Sequence, residues 1–583
     1  MNYSTIPTAQ SIVKHCQAQH ITNIVISPGS RNAPLTLAFT QNPFFSCYSI
    51  VDERCAAFFA LGMAQQLHKP VVVLCTSGSA LLNYYPAVAE AFYSTIPLIV
   101  ISADRPSYKI GIGDGQTINQ KNIYNNQIGY SANLKQDVTH STDKILQYRP
   151  EWINKGNIEE VQEEVQRYND SELNNAFRLV LREQCPVHIN VPFEEPLYKT
   201  IQESTVFPDI NPFSSAEEDH VSLQVQKEVW GKATKKIVLV GVNTRNNLTQ
   251  RTLSKLAKDP SVLVFTETTS NLYHPNFFNS IDSIIAPIEM SENAEEKFKS
   301  LRPEVLVTFG GLIVSKKIKA FLRAFSPEHH WHIGSTKAND TFFCLENHIK
   351  MPVEHFFKEL YSNAEVVVSD YFNHWNNVRV KYRLKKETYL NKIPFSDFSV
   401  FHEILKSIPK KFQLQLANSS TIRYTQLFDL DPTLKVFCNR GTSGIDGSTS
   451  TAIGASIISE TPTLLITGDL SFFYDSNALW NNYIKKNFRI IVINNKGGGI
   501  FRILPGKKDS DTFDTYFETR HNLNAGYLCA MFGFDYKSVN SIETLLTELG
   551  DFYTDSDLPK LLEIDTPTLI NDKILMDYFR FIS

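Results

Sequence analysis

Short runs of apolar, often β-branched residues alternate along the chain with stretches whose apolar positions recur at helical spacing. In the first third, Ile24-Val25-Ile26-Ser27 reads as a buried strand, followed by a Pro-Gly turn and a helix opening near Ala33. Cys47 to Val51 reads as a second strand and Glu53 to Leu67 as a helix with few polar positions. Val71 to Cys75 is a third strand, followed by the turn Thr76-Ser77-Gly78-Ser79 and a helix through Ala91. Leu98 to Ile101 is a fourth strand, and Pro186 to Val191 the last of this unit. Uninterrupted apolar strands separated by helices imply parallel strands covered on both faces. The grammar returns with strands at Ile237–Gly241, Val262–Phe265, Val305–Phe309 and His330–Ile333, and again at Val436–Cys438, Thr463–Thr467, Ile490–Asn494 and Leu561–Asp565. The predicted fold class is therefore α/β, with three successive domains of mostly parallel sheets flanked by helices. Their boundaries are placed at residues 1–200, 201–370 and 371–583.

Three segments depart from this alternation. Ile158, Val161 and Val165 mark one face of a helix in a charged stretch, Pro208, Pro212, Ser214 and Ser215 with an acidic cluster mark a linker over 203–220, and a basic polar helix spans Tyr371 to Leu390. Hydrophobic residues make up 42% and charged residues 20% of the 583 positions, so disorder and fibrous repeats are disfavoured. Fifty-seven Lys and Arg against 61 Asp and Glu leave a formal charge of −4, which provides no drive toward nucleic acid or anionic membrane. No apolar run reaches the roughly 18–20 residues that cross a bilayer. The segment Met1 to Pro7 lacks the basic-then-apolar pattern of a secretory signal. The eight cysteines are scattered, without a Cys-x-x-Cys pair, and read as reduced thiols of a cytoplasmic enzyme.

The segment richest in chemistry runs from Thr467-Gly468-Asp469-Leu470 to Ile493-Asn494-Asn495-Lys496-Gly497-Gly498-Gly499. Each end is an apolar strand that finishes in small or oxygen-bearing residues. Ligands of open parallel sheets sit beyond the carboxyl ends of strands, so Asp469 and Asn495 are expected to project into one crevice. A carboxylate, an amide oxygen and a carbonyl at a glycine turn suit Mg²⁺, which bridges protein to phosphate. The glycines let the backbone approach a diphosphate. Either half alone reads better as a helix cap or a strand-terminating turn; together they favour a site. His329-His330-Trp331-His332 reads as a strand-entry loop, without the companion ligands of a metal site. The triple glycine is not a nucleotide-binding P-loop, since no Gly-Lys-Ser/Thr ending follows.

Gly468-Asp469, a helical stretch and Asn494-Asn495 resemble the diphosphate and metal motif of thiamine-diphosphate enzymes, with Leu470 standing where many members carry a second glycine. The segments Ile26 to Leu35, Asp52-Glu53-Arg54, Asp104-Arg105-Pro106 and Asn439 to Gly447 narrow the resemblance to the 2-succinyl-5-enolpyruvyl-6-hydroxy-3-cyclohexene-1-carboxylate synthase family of menaquinone biosynthesis. The outer thirds carry the likeness, and the charged helix near 151–170 looks like added length. The resemblance implies a pyrimidine-binding first domain, a central α/β domain and a diphosphate-binding third domain. It implies thiamine diphosphate and Mg²⁺ (or Mn²⁺) as cofactors, and 2-oxoglutarate and isochorismate as substrates. The oligomer implied is a homodimer at least, with tetramer left open, in which the pyrimidine-facing domain of one subunit meets the diphosphate domain of another.

By the same resemblance Glu53 is the acid that hydrogen-bonds the aminopyrimidine ring. Residue type alone leaves it equally an acid at a helix N-terminus. Asp469, Asn495 and the Gly497 carbonyl are implied as metal ligands. Ser419, Gly441, Ser443, Ile445 and Leu470 are implied as further cofactor contacts, with β-branched Ile445 as a stiff wedge beneath the bent coenzyme. Arg31, Arg105, Arg423 and Arg440 are implied as carboxylate-binding forks, with Ser30, Gln116 and Asn418 beside them. Ile500, Phe501 and Leu504 read as core from their spacing and are implied to line the apolar side of the substrate pocket. Lys316-Lys317 aligns with a basic pair whose role stays open. The rival readings are another thiamine-diphosphate 2-oxoacid carboligase or decarboxylase, such as an acetohydroxyacid synthase, a non-catalytic relative, and a nicotinamide dehydrogenase. No Gly-x-Gly-x-x-Gly supports the last.

Overall fold

The computed structural model of the chain describes residues 2–153, 157–212, 222–243, 247–362, 367–503, 508 and 510–583. Part of the expected linker, 213–220, lies outside these residues, as does Leu504. Three wholly parallel sheets follow one another along the sequence, of six, five and six strands. The first contains Asn23–Ile26, Ser46–Ser49, Val71–Cys75, Leu98–Asp104, Tyr130–Asn133 and Val187–Pro192. The second contains Lys236–Val240, Val262–Thr266, Val305–Phe309, His329–Ile333 and Asn347–Ile349. The third contains Gln413–Leu416, Lys435–Cys438, Thr463–Gly468, Arg489–Asn494, Asp535–Val539 and Lys560–Asp565. Counting strands within each sheet from its N-terminal one, the first and third sheets share the spatial order 2-1-3-4-6-5, and the second has 2-1-3-4-5. The first strand thus lies between the second and third in every sheet. The chain reverses its direction of winding there, which opens a crevice at the carboxyl ends.

The chain forms two compact units. One comprises Met1–Ala216, Gly441–Glu460 and Tyr474–Phe488; the other comprises Glu217–Arg440, Thr461–Phe473 and Arg489–Ser583. In the first unit, the strands Val71–Cys75 and Leu98–Asp104 are buried along their whole length, and Ile24, Val72, Ile99, Ile189 and Phe177 share one core. Ile153 and Val165 belong to a small satellite cluster against which Ile158 and Val161 pack, so the apolar stripe expected on the charged helix is used. That helix runs Ile158–Glu183. In the second unit a continuous core joins the second and third sheets, from Ile237 and Leu263 through Trp375 and Tyr382 to Leu414 and Ile466. The basic helix Tyr371–Leu390 supplies Trp375, Tyr382 and Tyr389 to it.

Within the first unit the helix Glu53–Leu67 packs against Ser448–Ile458 at small-residue positions. A Cβ at Gly62 would lie 2.1 Å from the Thr451 carbonyl oxygen, and one at Gly454 would lie 2.0 Å from that of Phe59. Both obstacles are backbone, so neither can rotate away.

Several strands escaped the hydrophobic pattern. Gln413–Leu416, with alternating amides, is fully buried in the third sheet between two others. Its Gln413 accepts the Thr463 hydroxyl at 2.9 Å, so a polar strand is satisfied inside. Tyr130–Asn133 and Asp535–Val539 are edge strands with polar faces. His329-His330-Trp331-His332 is part of a strand and not a loop before one; Thr308 bonds both His330 and His332 at 3.0 Å. All eight cysteines are free.

The Gly454→Ala substitution is expected to lower unfolding free energy by about 1–3 kcal/mol through overpacking. Gly550→Ala lies in the helix Ile542–Phe552, where an added Cβ would meet no atom within 4 Å, and is expected to raise it by about 0.5–1 kcal/mol. Urea denaturation of both variants checks the contrast; equal effects would contradict the helix–helix contact.

Candidate active site

The third sheet brings Asp469 and Asn495 together because Thr463–Gly468 and Arg489–Asn494 are neighbours in parallel register, with Gly468 opposite Ile493. Both residues follow the strand ends directly and both are buried. Asp469 Oδ1 accepts the Leu470 N–H at 2.7 Å, and its Oδ2 accepts the Gly497 N–H at 2.9 Å. His521 Nε2 lies 3.2 Å from the same Oδ2. Gly497 has φ +149°, and a Cβ there would sit 2.6 Å from the Glu518 carbonyl oxygen, so this turn is closed to side chains. The Glu518 carboxylate is gripped by Arg502 and Arg520, which ties the segment after Gly499 to the following one.

Asn495 donates its Nδ2 to Asp397 Oδ2 at 3.1 Å, whereas its Oδ1 is buried without a hydrogen-bond partner. An orphaned amide oxygen beside a buried carboxylate and a glycine carbonyl is a hard-oxygen donor set, and these residues fit a Mg²⁺-sized cation. The Gly497 carbonyl accepts Gly499 N–H at 3.0 Å and keeps its second lone pair. Burial pushes the Asp397 carboxyl up to about 6, against hydrogen bonds from Thr566 and Asn495. Among the described residues, no three His, Cys, Asp or Glu side chains converge as metal ligands, which includes the histidines at 329–332.

The same edge of the third sheet carries Asn418, Ser419, Arg423 and Arg440. Asn418 Nδ2 donates to the Asn439 carbonyl at 2.7 Å, and its Oδ1 accepts Arg440 at 2.6 Å. Ser419 adopts φ +69°, a strained turn for a residue with a Cβ. Burial, with the like charge of Arg440, pushes Arg423 down from the usual arginine range, opposed by Asp282. Arg423 Nε has no hydrogen-bond partner. Glu267 accepts the N–H groups of Val314 and Ser315, both at 2.7 Å, and burial raises it to about 7. Of the open lysine pair, Lys317 is held by Glu289 and Lys316 is exposed. Ile500 and Phe501 lie in the short turn Gly499–Ile503 in this unit, with the Phe501 ring 6.1 Å from that of Phe517.

The first unit holds the other candidates. Glu53 opens the helix Glu53–Leu67 and is half-buried; its carboxylate accepts Asn83 Nδ2 at 3.2 Å. Its neighbours are firmly anchored. Asp52 accepts the Cys55 N–H at 3.1 Å and Asn477 at 2.9 Å, and Arg54 donates to the Tyr474 carbonyl at 2.7 Å. Asp475, buried, accepts the Ser450 N–H at 2.7 Å and its hydroxyl at 2.9 Å, with Cys55 Sγ at 3.7 Å. Glu90 accepts the Gly441 and Thr442 N–H groups, both at 2.7 Å, and so clamps the loop that carries Ser443 and Ile445. Ile445 is 38% exposed. Arg31 is buried, donating to the Phe193 carbonyl at 3.0 Å and to Glu195 at 3.3 Å, next to exposed Ser30. Arg105 follows the strand Leu98–Asp104 and donates to the Gly115 carbonyl at 3.2 Å; Gln116 is exposed.

Sequence reasoning passed over Asp397, Glu90, Glu518 and His521. Glu90 left one signal, the lone charge in the otherwise uncharged helix Tyr85–Ser94. Asp397 looks like any acid in the first turn of a helix, and the other two carry no local pattern.

Residues 6–124, which build the first four strands of the first sheet, match the model of the thiamine pyrophosphate enzyme N-terminal TPP binding domain. Residues 6–124 thus have the character of a coenzyme-binding domain of thiamine pyrophosphate enzymes. The whole chain is 54% identical to a 2-succinyl-5-enolpyruvyl-6-hydroxy-3-cyclohexene-1-carboxylate synthase of Christiangramia forsetii and 52% identical to one of Flavobacterium johnsoniae, covering 100% of both partners in each case. A synthase of that name from Porphyromonas gingivalis is 36% identical over 97% of this chain and 95% of its own length. The chain belongs to this synthase family.

Burial holds the Asp475 carboxyl up at about 6, above its ordinary 3.8. An acid raised on folding stabilises the fold below its ordinary range, and that stabilisation is lost as pH rises through the folded value. The unfolding free energy of the wild type relative to Asp475→Asn should therefore fall by about 2 kcal/mol between roughly pH 4.5 and 7. Parallel urea titrations measure this; a difference that rises with pH would contradict it.

Proposed function

We propose that the chain decarboxylates 2-oxoglutarate and adds the remaining succinyl unit to isochorismate, giving the product for which its relatives are named, a step of menaquinone biosynthesis. The observation that carries this reading is identity of 51–54% over full length to three synthases. That relationship also favours it over the acetohydroxyacid synthase alternative. We assign residues 1–200 to the pyrimidine, 201–370 to a central and 371–583 to the diphosphate domain.

Thiamine diphosphate, when bound, supplies the ring that stabilises negative charge at the former keto carbon. Asp469, Asn495 Oδ1 and the Gly497 carbonyl would hold Mg²⁺ or Mn²⁺ at its diphosphate, with Ser419, Gly441, Ser443 and Leu470 as neighbours. Ile445 would support the bent coenzyme, and Glu90 keeps its loop in place. Arg105, Arg423 and Arg440 would orient substrate carboxylates with Ser30, Gln116 and Asn418, each charged hydrogen bond contributing about 1.5–3 kcal/mol. Arg31 would join them by exchanging Glu195 for a substrate carboxylate. Ile500, Phe501 and Leu504 would form the apolar wall that excludes water.

Glu53 would hold its proton toward the coenzyme's pyrimidine. An acid that must stay protonated to donate needs a desolvated setting, and one chain leaves Glu53 half-buried beside Asn83. We infer that a second protomer encloses it, so that Glu53 acts with the partner subunit's Asp469 in a homodimer of a water-soluble, cytoplasmic enzyme.

Purified protein with thiamine diphosphate and Mg²⁺ should release carbon dioxide from 2-oxoglutarate faster when isochorismate is added; equal release from pyruvate alone would favour the acetohydroxyacid reading. Glu53→Gln and Asp469→Asn should each be inactive. Random equimolar reassembly of the two should restore about one quarter of wild-type activity, because half the dimers then hold one intact site. No recovery in verified mixed dimers would place Glu53 and Asp469 in the same protomer's site.

A further inference from the structure

We propose that Asp397 is a positioning residue for the divalent cation: it dictates which end of the Asn495 amide faces the ligand. The inference rests on the proposed role of Asn495 and adds a residue outside the recognisable motif. Asp397 opens the helix Asp397–Ser407, nearly a hundred positions earlier in the chain, and is 2% exposed. Its Oδ2 accepts Asn495 Nδ2 at 3.1 Å and its Oδ1 accepts the Thr566 hydroxyl at 2.6 Å. Its backbone N–H donates to Asn571 Oδ1 at 2.9 Å, and Asn571 in turn donates to the Pro567 carbonyl at 2.8 Å. Thr566, which follows the strand Lys560–Asp565, and Asn571 are also buried, so the carboxylate is held by two side chains and its backbone by a third.

The two ends of an amide are nearly isosteric but opposite in function. The nitrogen only donates, and only the oxygen can coordinate a hard cation. An ionised carboxylate only accepts, so it bonds the nitrogen of Asn495 and repels its oxygen. The oxygen is thereby turned away from Asp397. It is the atom left buried and unpartnered, next to the Asp469 carboxylate network. The orientation is set before any cation arrives, and binding then requires no turning of the amide. Partners of this kind are commonly worth 10–100-fold in metal affinity when removed.

Asp397→Asn preserves size but can donate as well as accept, so the Asn495 amide can sit either way round. Mn²⁺ affinity, read by electron paramagnetic resonance in the presence of thiamine diphosphate, is expected to weaken at least about 10-fold in this variant. The thermal midpoint of the cofactor-free protein should stay within a few degrees, and Asp397→Glu should recover part of the affinity. Thr566→Val, which frees one carboxylate oxygen, should weaken Mn²⁺ binding less than Asp397→Asn, and it carries the test if the latter does not fold. Unchanged Mn²⁺ affinity in folded Asp397→Asn, with Asp469→Ala abolishing it, would overturn the inference and leave the metal site standing. Absence of Mn²⁺ binding by the wild type would overturn both.

Discussion

The parallel pairing of Thr463–Gly468 with Arg489–Asn494 is the constraint from which the site arises. Parallel neighbours end at the same edge, so the residues after them must share a crevice without any long-range instruction. Gly468 opposite Ile493 is the last pair of this ladder, and the first residues beyond the two strands are an acid and an amide. The turn after Asn495 then closes on Asp469 through the Gly497 N–H, a bond that no residue with a Cβ could make against Glu518. A strand ladder has thereby been converted into a cluster of oxygens.

Buried carboxylates do the remaining positioning. Asp397, Glu90, Asp475, Glu267 and Glu518 are all inaccessible, which would cost several kcal/mol per ion if any lacked partners. None does. Each accepts from backbone N–H groups, hydroxyls, an amide or arginines, and each binds a segment that follows a strand or opens a helix. Loops at strand ends have unpaired N–H groups that a carboxylate can satisfy, so an inward acid both gives those donors a partner and freezes the loop. The same arrangement explains why removing one of these acids affects geometry at a distance: the donors it leaves behind are buried too.

Hydrophobic runs made the parallel architecture legible, since strands covered on both faces read as continuous apolar segments. Val305–Phe309 and the helices Glu53–Leu67 and Tyr371–Leu390 stand where the pattern places them. What the pattern missed is polar yet inside: Gln413–Leu416 is invisible to periodicity because its amides are satisfied by neighbouring strands. The candidate site divides along the same line. Asp469 and Asn495 were legible because each adjoins an obvious strand end. Asp397 and His521 meet Asn495 and Asp469 only through tertiary approach, and nothing in their own neighbourhoods anticipates it. The assignment of Gly441–Glu460 and Tyr474–Phe488 to the first compact unit was likewise illegible, because it depends on the close approach at Gly62 and Gly454.

The first and third sheets share one strand order but load their carboxyl ends differently. In the first, the ends of the initial four strands lead to Arg31, Glu53, Gly78 and Arg105; in the third, the corresponding ends lead to Asn418, Arg440, Asp469 and Asn495. One edge offers cations and a single acid opening a helix, the other hard oxygens with cations at their border. Two sheets of one strand order can therefore present different chemistry at the same edge, and the order itself need not change between them.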